Sequence, residues 1–206
     1  MPLQNRVTPF GDLVAVEARG LLMGNRGILH DDAQRIVRHH QGRRWIACVT
    51  EFRGRRRTLM RPGSYTELFF LDEATALAAG HRPCAECRHA DYARFCEAWA
   101  SWHPDATVNA DTMDVELHLD RVAGRAAKRI YPAEATTLPD GVFFVLDQRP
   151  WLLWRGFALA WSPGGYRERH RRPREIVPVL TPLSIVRTIA AGYRPAVHPT
   201  AEAAAA

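Results

Sequence analysis

Lysine is nearly missing from this chain: of 28 basic residues only Lys128 is not an arginine. Cysteine is also scarce, with four in 206 residues, too few for the disulfide framework of a small secreted scaffold. No apolar run approaches the roughly 20 residues that a helical membrane span needs. The opening MPLQNRVTPFGDLV has no apolar stretch behind a basic start, so a cytoplasmic location is expected. There is no Gly-rich phosphate loop, nucleophile elbow or His-Glu-x-x-His pair to signal an enzyme class.

What is present begins with a hydrophobic content of 47%, ample for a packed core in one large domain or two small ones. The most informative segment is YTELFFLDEATALAAGHRPCAECR, residues 65–88. It reads as an aromatic strand, a short helix, a glycine turn, and then Cys84-Ala-Glu-Cys87. Two thiolates separated by two residues can reach one metal ion, and Pro83 stiffens the approach. Tetrahedral zinc would need two further ligands from elsewhere. In a reducing compartment such a pair is a metal or redox element before it is a crosslink.

The surrounding pattern predicts an α+β fold. Strands are expected over 12–18, 44–52 and 66–71, with a loop at 20–27 and a hairpin turn at 53–55. Asp72 is a good N-cap for a helix over 73–79, which Gly80 would end. A longer helix should run to about Trp102, since Tyr92, Phe95, Cys96, Trp99 and Trp102 form one stripe in which Cys96 serves as a small apolar residue. A further helix is expected over about 111–130, capped by Asn109 or Asp111. From Gly141 the texture changes to strand and turn, followed by a basic loop, a short edge strand containing Pro178, and a last helix with Thr181 as cap and Pro182 at its first position. The domain reading is a metal module with its long helix over 1–104, a helix with antiparallel strands and terminal helix over 105–200, and a disordered tail at 201–206. Ala78-Ala79-Gly80-His81-Arg82-Pro83 is echoed by Ala190-Ala191-Gly192-Tyr193-Arg194-Pro195, and shared helix-stop chemistry is the simpler explanation.

Phe69-Phe70, the helix over 73–79, Gly80-His81-Arg82-Pro83 and Cys84-Ala-Glu-Cys87 together resemble the second half of the Ada-type metal-binding domain. That zinc module fronts the adaptive-response methyltransferase and occurs in other DNA-related proteins. The likeness is close over some 20 residues and loose from about Gly27 to His89. It implies a zinc-ribbon-like N-terminal module and a link to DNA repair. Where the family carries Cys-x-x-x-Cys upstream, this chain has Cys48 followed by Phe52, so methyl transfer, which needs a complete four-thiolate centre, is not expected. Some relatives place a histidine upstream. The resemblance therefore implies a structural zinc site of Cys84, Cys87, Cys48 and His30, with Asp31 orienting the imidazole and His39, His40 and His81 competing for the last place.

The net charge of +6 favours polyanionic partners, nucleic acid and DNA above all. Clustering sharpens this: Arg43-Arg44, the set Arg53, Arg55, Arg56 and Arg57, and the run over 167–174 with Arg169, Arg171 and Arg172. Trp151, Trp154, Trp161 and Tyr166 lie near that run, and of these Tyr166 is expected to be exposed and able to stack on a base. Two other functions are compatible with the residues. A nuclease or base-processing enzyme would use His118 with Asp114, four residues apart on one helix face. A redox or protein-interaction module would use the Cys84/Cys87 pair.

Overall fold

Among the described residues, short strands assemble into two six-stranded sheets and a two-stranded ribbon. The computed structural model describes residues 1–54, 58–124 and 127–206. The first sheet is built from β1 (Gln4–Val7), β2 (Leu13–Ala15), β3 (Leu22–Asn25), β4 (Ile46–Val49), β5 (Leu68–Phe70) and β6 (Arg82–Pro83), in the order β2-β1-β5-β3-β4-β6. Helix α1 (Glu73–Ala78) separates β5 from β6, and α2 (His89–Trp102) and α3 (Ala110–Arg121) follow. The ribbon pairs β7 (Val122–Ala123) with β8 (Ala127–Lys128). The second sheet contains β9 (Tyr131–Glu134), β10 (Phe143–Leu146), β11 (Arg149–Trp154), β12 (Phe157–Ser162), β13 (Gly165–Arg171) and β14 (Ile176–Val179), in the order β13-β12-β11-β10-β14-β9. Helices α4 (Leu183–Ala190) and α5 (Pro199–Ala205) complete an α+β chain with a strand-rich C-terminal half.

Several elements differ from the sequence pattern for identifiable reasons. The glycine-rich stretch 20–27 contains β3, which pairs with β4 and β5. A Cβ on Gly24 would come within 2.2 Å of the Ile46 carbonyl oxygen, so glycine here permits close strand approach instead of marking a loop. The hairpin turn expected at 53–55 falls partly outside the described residues. Helix α3 stops at Arg121, well short of Ile130, because Val122 turns to extended backbone and starts the ribbon; at its other end Asn109 and Thr112 form a capping box. Thr181 does not cap α4: its hydroxyl accepts from Phe143 N, while Asp120 accepts from Ser184 N in the first turn. Pro178 lies in an interior strand, with β14 flanked by β9 and β10. The first part of the basic run, 167–171, lies on edge strand β13 instead of in a loop. The tail, finally, is helical: Ala201 is fully buried, and Glu202 pairs with Arg155 at 2.7 Å.

The core has three clusters, and α1 belongs to all of them. Leu77 packs with Phe95, Trp99, Phe144 and Ile185. Ala74 and Ala78 join Phe143, Leu152, Leu159 and Tyr166. Ala76 and Ala79 face Val7, Leu68 and Phe70. Every residue of α1 is buried, which explains its alanine content: larger side chains would overpack three interfaces at about 1–3 kcal/mol each. Phe95 and Trp99 share their cluster with residues beyond 140, so one of the three clusters spans both sides of position 104.

Two adjacent buried acids begin α1 and bind the distant C-terminal segment to it. Asp72 accepts from Thr75 N as the N-cap, from the Tyr166 hydroxyl at 2.8 Å and from His198 N at 2.9 Å. Glu73 accepts from Arg88 at 2.7 Å, the Tyr193 hydroxyl at 2.5 Å and Ala196 N at 2.9 Å. The echo between 78–83 and 190–195 is the same helix stop made twice. His81 N bonds Ala76 O and Gly80 N bonds Leu77 O; Tyr193 N bonds Thr188 O and Gly192 N bonds Ile189 O. Both glycines have positive φ, as this cap requires.

Candidate metal centre

Parallel pairing of β4 with β6 sets Ala47 beside Pro83, and Cys84 N donates to Ala47 O at 3.0 Å. This brings Cys48, the residue after Ala47, to the turn that carries Cys84 and Cys87. Arg88 N closes the turn onto Cys84 O at 3.1 Å, and α2 starts at the next residue. The three Sγ atoms lie within 4.8 Å of one another, and together they can hold a metal ion. Tetrahedral zinc with bonds of about 2.3 Å would hold its sulfurs roughly 3.8 Å apart, so only a modest contraction separates this arrangement from a coordinating one. Cys48 and Cys84 are buried, Cys87 is half-buried, and all three are free of disulfides.

The three thiols shift one another's ionisation in opposite directions. A hydrogen bond from the Cys48 thiol lowers the pKa of Cys84, which the Cys87 and Glu86 main-chain N–H groups lower further. Cys48 is raised by that same bond to Cys84 and by burial, and Cys87 is raised chiefly by burial. A divalent cation would allow all three to ionise, since thiolates are the ligand form.

Two buried ion pairs bracket the turn. Arg82 binds both oxygens of Asp114 on α3, Nε to Oδ1 at 3.0 Å and Nη2 to Oδ2 at 2.8 Å. Arg88 binds Glu73 at 2.7 Å and Asp91 at 2.7 Å. Sequence reasoning missed these roles; the flanking arginines in Arg82-Pro-Cys…Cys-Arg88 were the available signal.

His30 does not join the thiols, which corrects the four-ligand set. Its Nδ1 pairs with Thr66 Oγ1 at 2.7 Å and its Nε2 with the Arg61 carbonyl at 3.2 Å, so both ring nitrogens are spent on pinning its loop. Asp31 bonds Arg35 instead of orienting the imidazole. Among the described residues, His39, His40 and His81 also stand outside the group. His81 is fully buried between Trp45 and Phe70. A cavity of about 300 Å³ opens beside the sulfurs, walled by Met23, Phe52, Tyr65 and Phe69.

The other candidate residues are dispersed. Asp114 is buried with both oxygens on Arg82, so it is no orienting partner for His118; burial raises its pKa against the pull of that arginine. His118 is half-buried with its ring 5.4 Å from that of His40, and burial lowers its pKa. Tyr166 is 2% exposed and donates to Asp72, which removes it from any surface that could stack on a base. Trp151 is buried, and Trp161 donates to Thr75. Arg169 and Arg171 are exposed on β13, whereas Arg172 is held by Asp140 at 2.8 Å. Arg53 is exposed with its guanidinium over Phe52; Arg55, Arg56 and Arg57 lie outside the described residues.

No helix of the described residues is long and apolar enough to cross a membrane. No family model, curated protein or solved structure matches this chain.

Proposed function

We propose that this chain is a zinc-binding protein that interacts with nucleic acid, DNA foremost, in a reducing cytoplasmic compartment. The observation that carries the reading is the convergence of Cys48, Cys84 and Cys87 from two separate elements. Soft thiolate donors favour zinc over magnesium or calcium. The ion would tie β4 to the start of α2, where free main-chain N–H groups stabilise thiolate charge. Three protein ligands leave one position for water or another donor from the adjoining cavity. The resemblance to the Ada-type module fits this centre, and a link to DNA repair belongs to the same proposal.

Support for a polyanionic partner is the net charge of +6 and the exposed arginines of β13. The test pairs metal analysis with fluorescence anisotropy on labelled single- and double-stranded DNA. One equivalent of zinc, with DNA binding that weakens steeply as salt rises, is the expected result. Metal-free protein as isolated from zinc-supplemented medium would overturn the metal assignment, and salt-insensitive or absent binding would overturn the partner.

A further inference from the structure

A second cavity, of about 360 Å³, opens between the end of α3, the β7–β8 ribbon and the loop at 10–12. Its wall carries three cations, Arg26, Arg121 and Lys128, and one carboxylate, that of the exposed Asp12. Arg26 and Arg121 are each 1% exposed, and both guanidiniums lie over the Trp45 ring, 4.8 and 4.1 Å from its centroid. Their hydrogen bonds run to main-chain carbonyls: Arg26 to Gly11, Arg121 to Gly80 and Arg43. Lys128 likewise donates to the Ala78 carbonyl. Among the described residues none of the three forms an ion pair, and the Nε atoms of both arginines have no partner.

Buried positive charge on this scale is costly unless something compensates it. The carbonyls at the end of α1 contribute at most about half an elementary charge. Asp12 adds one, and with Lys128 about half protonated at neutral pH the cavity keeps about one positive charge in excess. Burial, then the neighbouring arginines, pushes Lys128 down to about 7, and burial takes Arg121 to about 9 and Arg26 to about 10.

We propose that this cavity is a binding site for a phosphate monoester. Two guanidiniums held rigid by Trp45 supply the N–H groups that main-chain carbonyls leave over, in a planar geometry that suits phosphate oxygens, and Lys128 adds a third cation. The volume leaves room for a small organic group beyond the phosphate, and Asp12 at the rim offers an acceptor for a hydroxyl on it. The site is separate from the thiols and stands whether or not they bind metal.

Isothermal titration calorimetry tests this with ribose 5-phosphate, ribose, inorganic phosphate, and a short oligonucleotide with a 5′-phosphate or a 5′-hydroxyl. Saturable binding of a phosphate monoester, with none for ribose, is expected. Tighter binding of the sugar phosphate assigns a small-molecule ligand; preference for the 5′-phosphorylated strand over its hydroxyl form assigns a nucleic-acid end. Lys128→Met should weaken binding about tenfold or more, the value of a lost charge-assisted contact, without lowering the melting temperature. Absence of saturable binding to either ester, binding of inorganic phosphate alone, or parental affinity in Lys128→Met would overturn the proposal.

Discussion

Arg82 and Asp114 form a two-pronged ion pair, with side chains no more than 4% exposed, two residues ahead of Cys84. The pair fastens the thiol-bearing turn to α3. Removing one partner strands the other charge in the interior, so Asp114→Ala should destabilise the fold by about 3–5 kcal/mol in urea titration. The double change Arg82→Met with Asp114→Leu should restore most of that. A single-variant loss below about 1 kcal/mol would mean that water reaches the pair.

Metal content should separate the thiols from the histidine. Cys48→Ser and Cys84→Ser are expected to lose zinc by elemental analysis. His30→Ala should keep it while losing about 1–3 kcal/mol of stability, because Thr66 and the Arg61 carbonyl lose their buried partner. Zinc lost from the folded His30→Ala protein would restore His30 as a ligand.

His81 is fully buried, and its pKa is lowered well below the ordinary value, first by burial and then by Arg26, Arg121 and Lys128. The folded chain keeps it neutral while the unfolded chain protonates it below about pH 6.5. Stability should therefore fall as pH drops below that point, by at most about 1.4 kcal/mol per pH unit from this residue. His81→Leu should flatten the slope between pH 6.5 and 5; an unchanged slope would assign it to other groups.

If the β13 face meets DNA, the double reversal Arg169→Glu with Arg171→Glu should weaken binding more than Arg172→Ala does, since Arg172 is already paired with Asp140. Anisotropy titrations at two salt concentrations measure this, and the reversed protein should also show a shallower salt slope. Equal effects from the two variants would place the contact elsewhere.

Deleting residues 199–206 removes the Thr200 hydroxyl that accepts from Tyr166 N and the Glu202 partner of Arg155. It also uncovers apolar surface around Tyr166. A loss of about 1–3 kcal/mol in thermal or urea unfolding is expected. A neutral deletion would show that α5 is dispensable.

The parts legible from sequence were those with local signals. Asp72, the alanine run and Gly80 defined α1 to within a residue, and the aromatic stripe defined the end of α2. The α+β class followed from these together with the strand-rich later half. Cys84 and Cys87 meet through spacing alone, and Cys48 was reachable only through the family likeness. Other positions depended on partners far along the chain. Tyr166 looked exposed because it follows a Pro-Gly-Gly turn, yet its hydroxyl partner Asp72 lies 94 residues away. His30 looked available because Thr66, 36 residues on, could not be foreseen as its neighbour. Gly24 suggested a loop because the close approach of Ile46 that requires glycine is a tertiary fact.

The attachment of residues 193–198 to Asp72 and Glu73 bears on how the chain matures during synthesis. While the ribosome is still making the second sheet, those two carboxylates have Thr75 and Arg88 within reach but lack the donors from Tyr193, Ala196 and His198, more than a hundred residues downstream. The α1 region would stay unsettled until translation passes that point, leaving an emerging chain exposed to chaperones and proteases through most of its elongation.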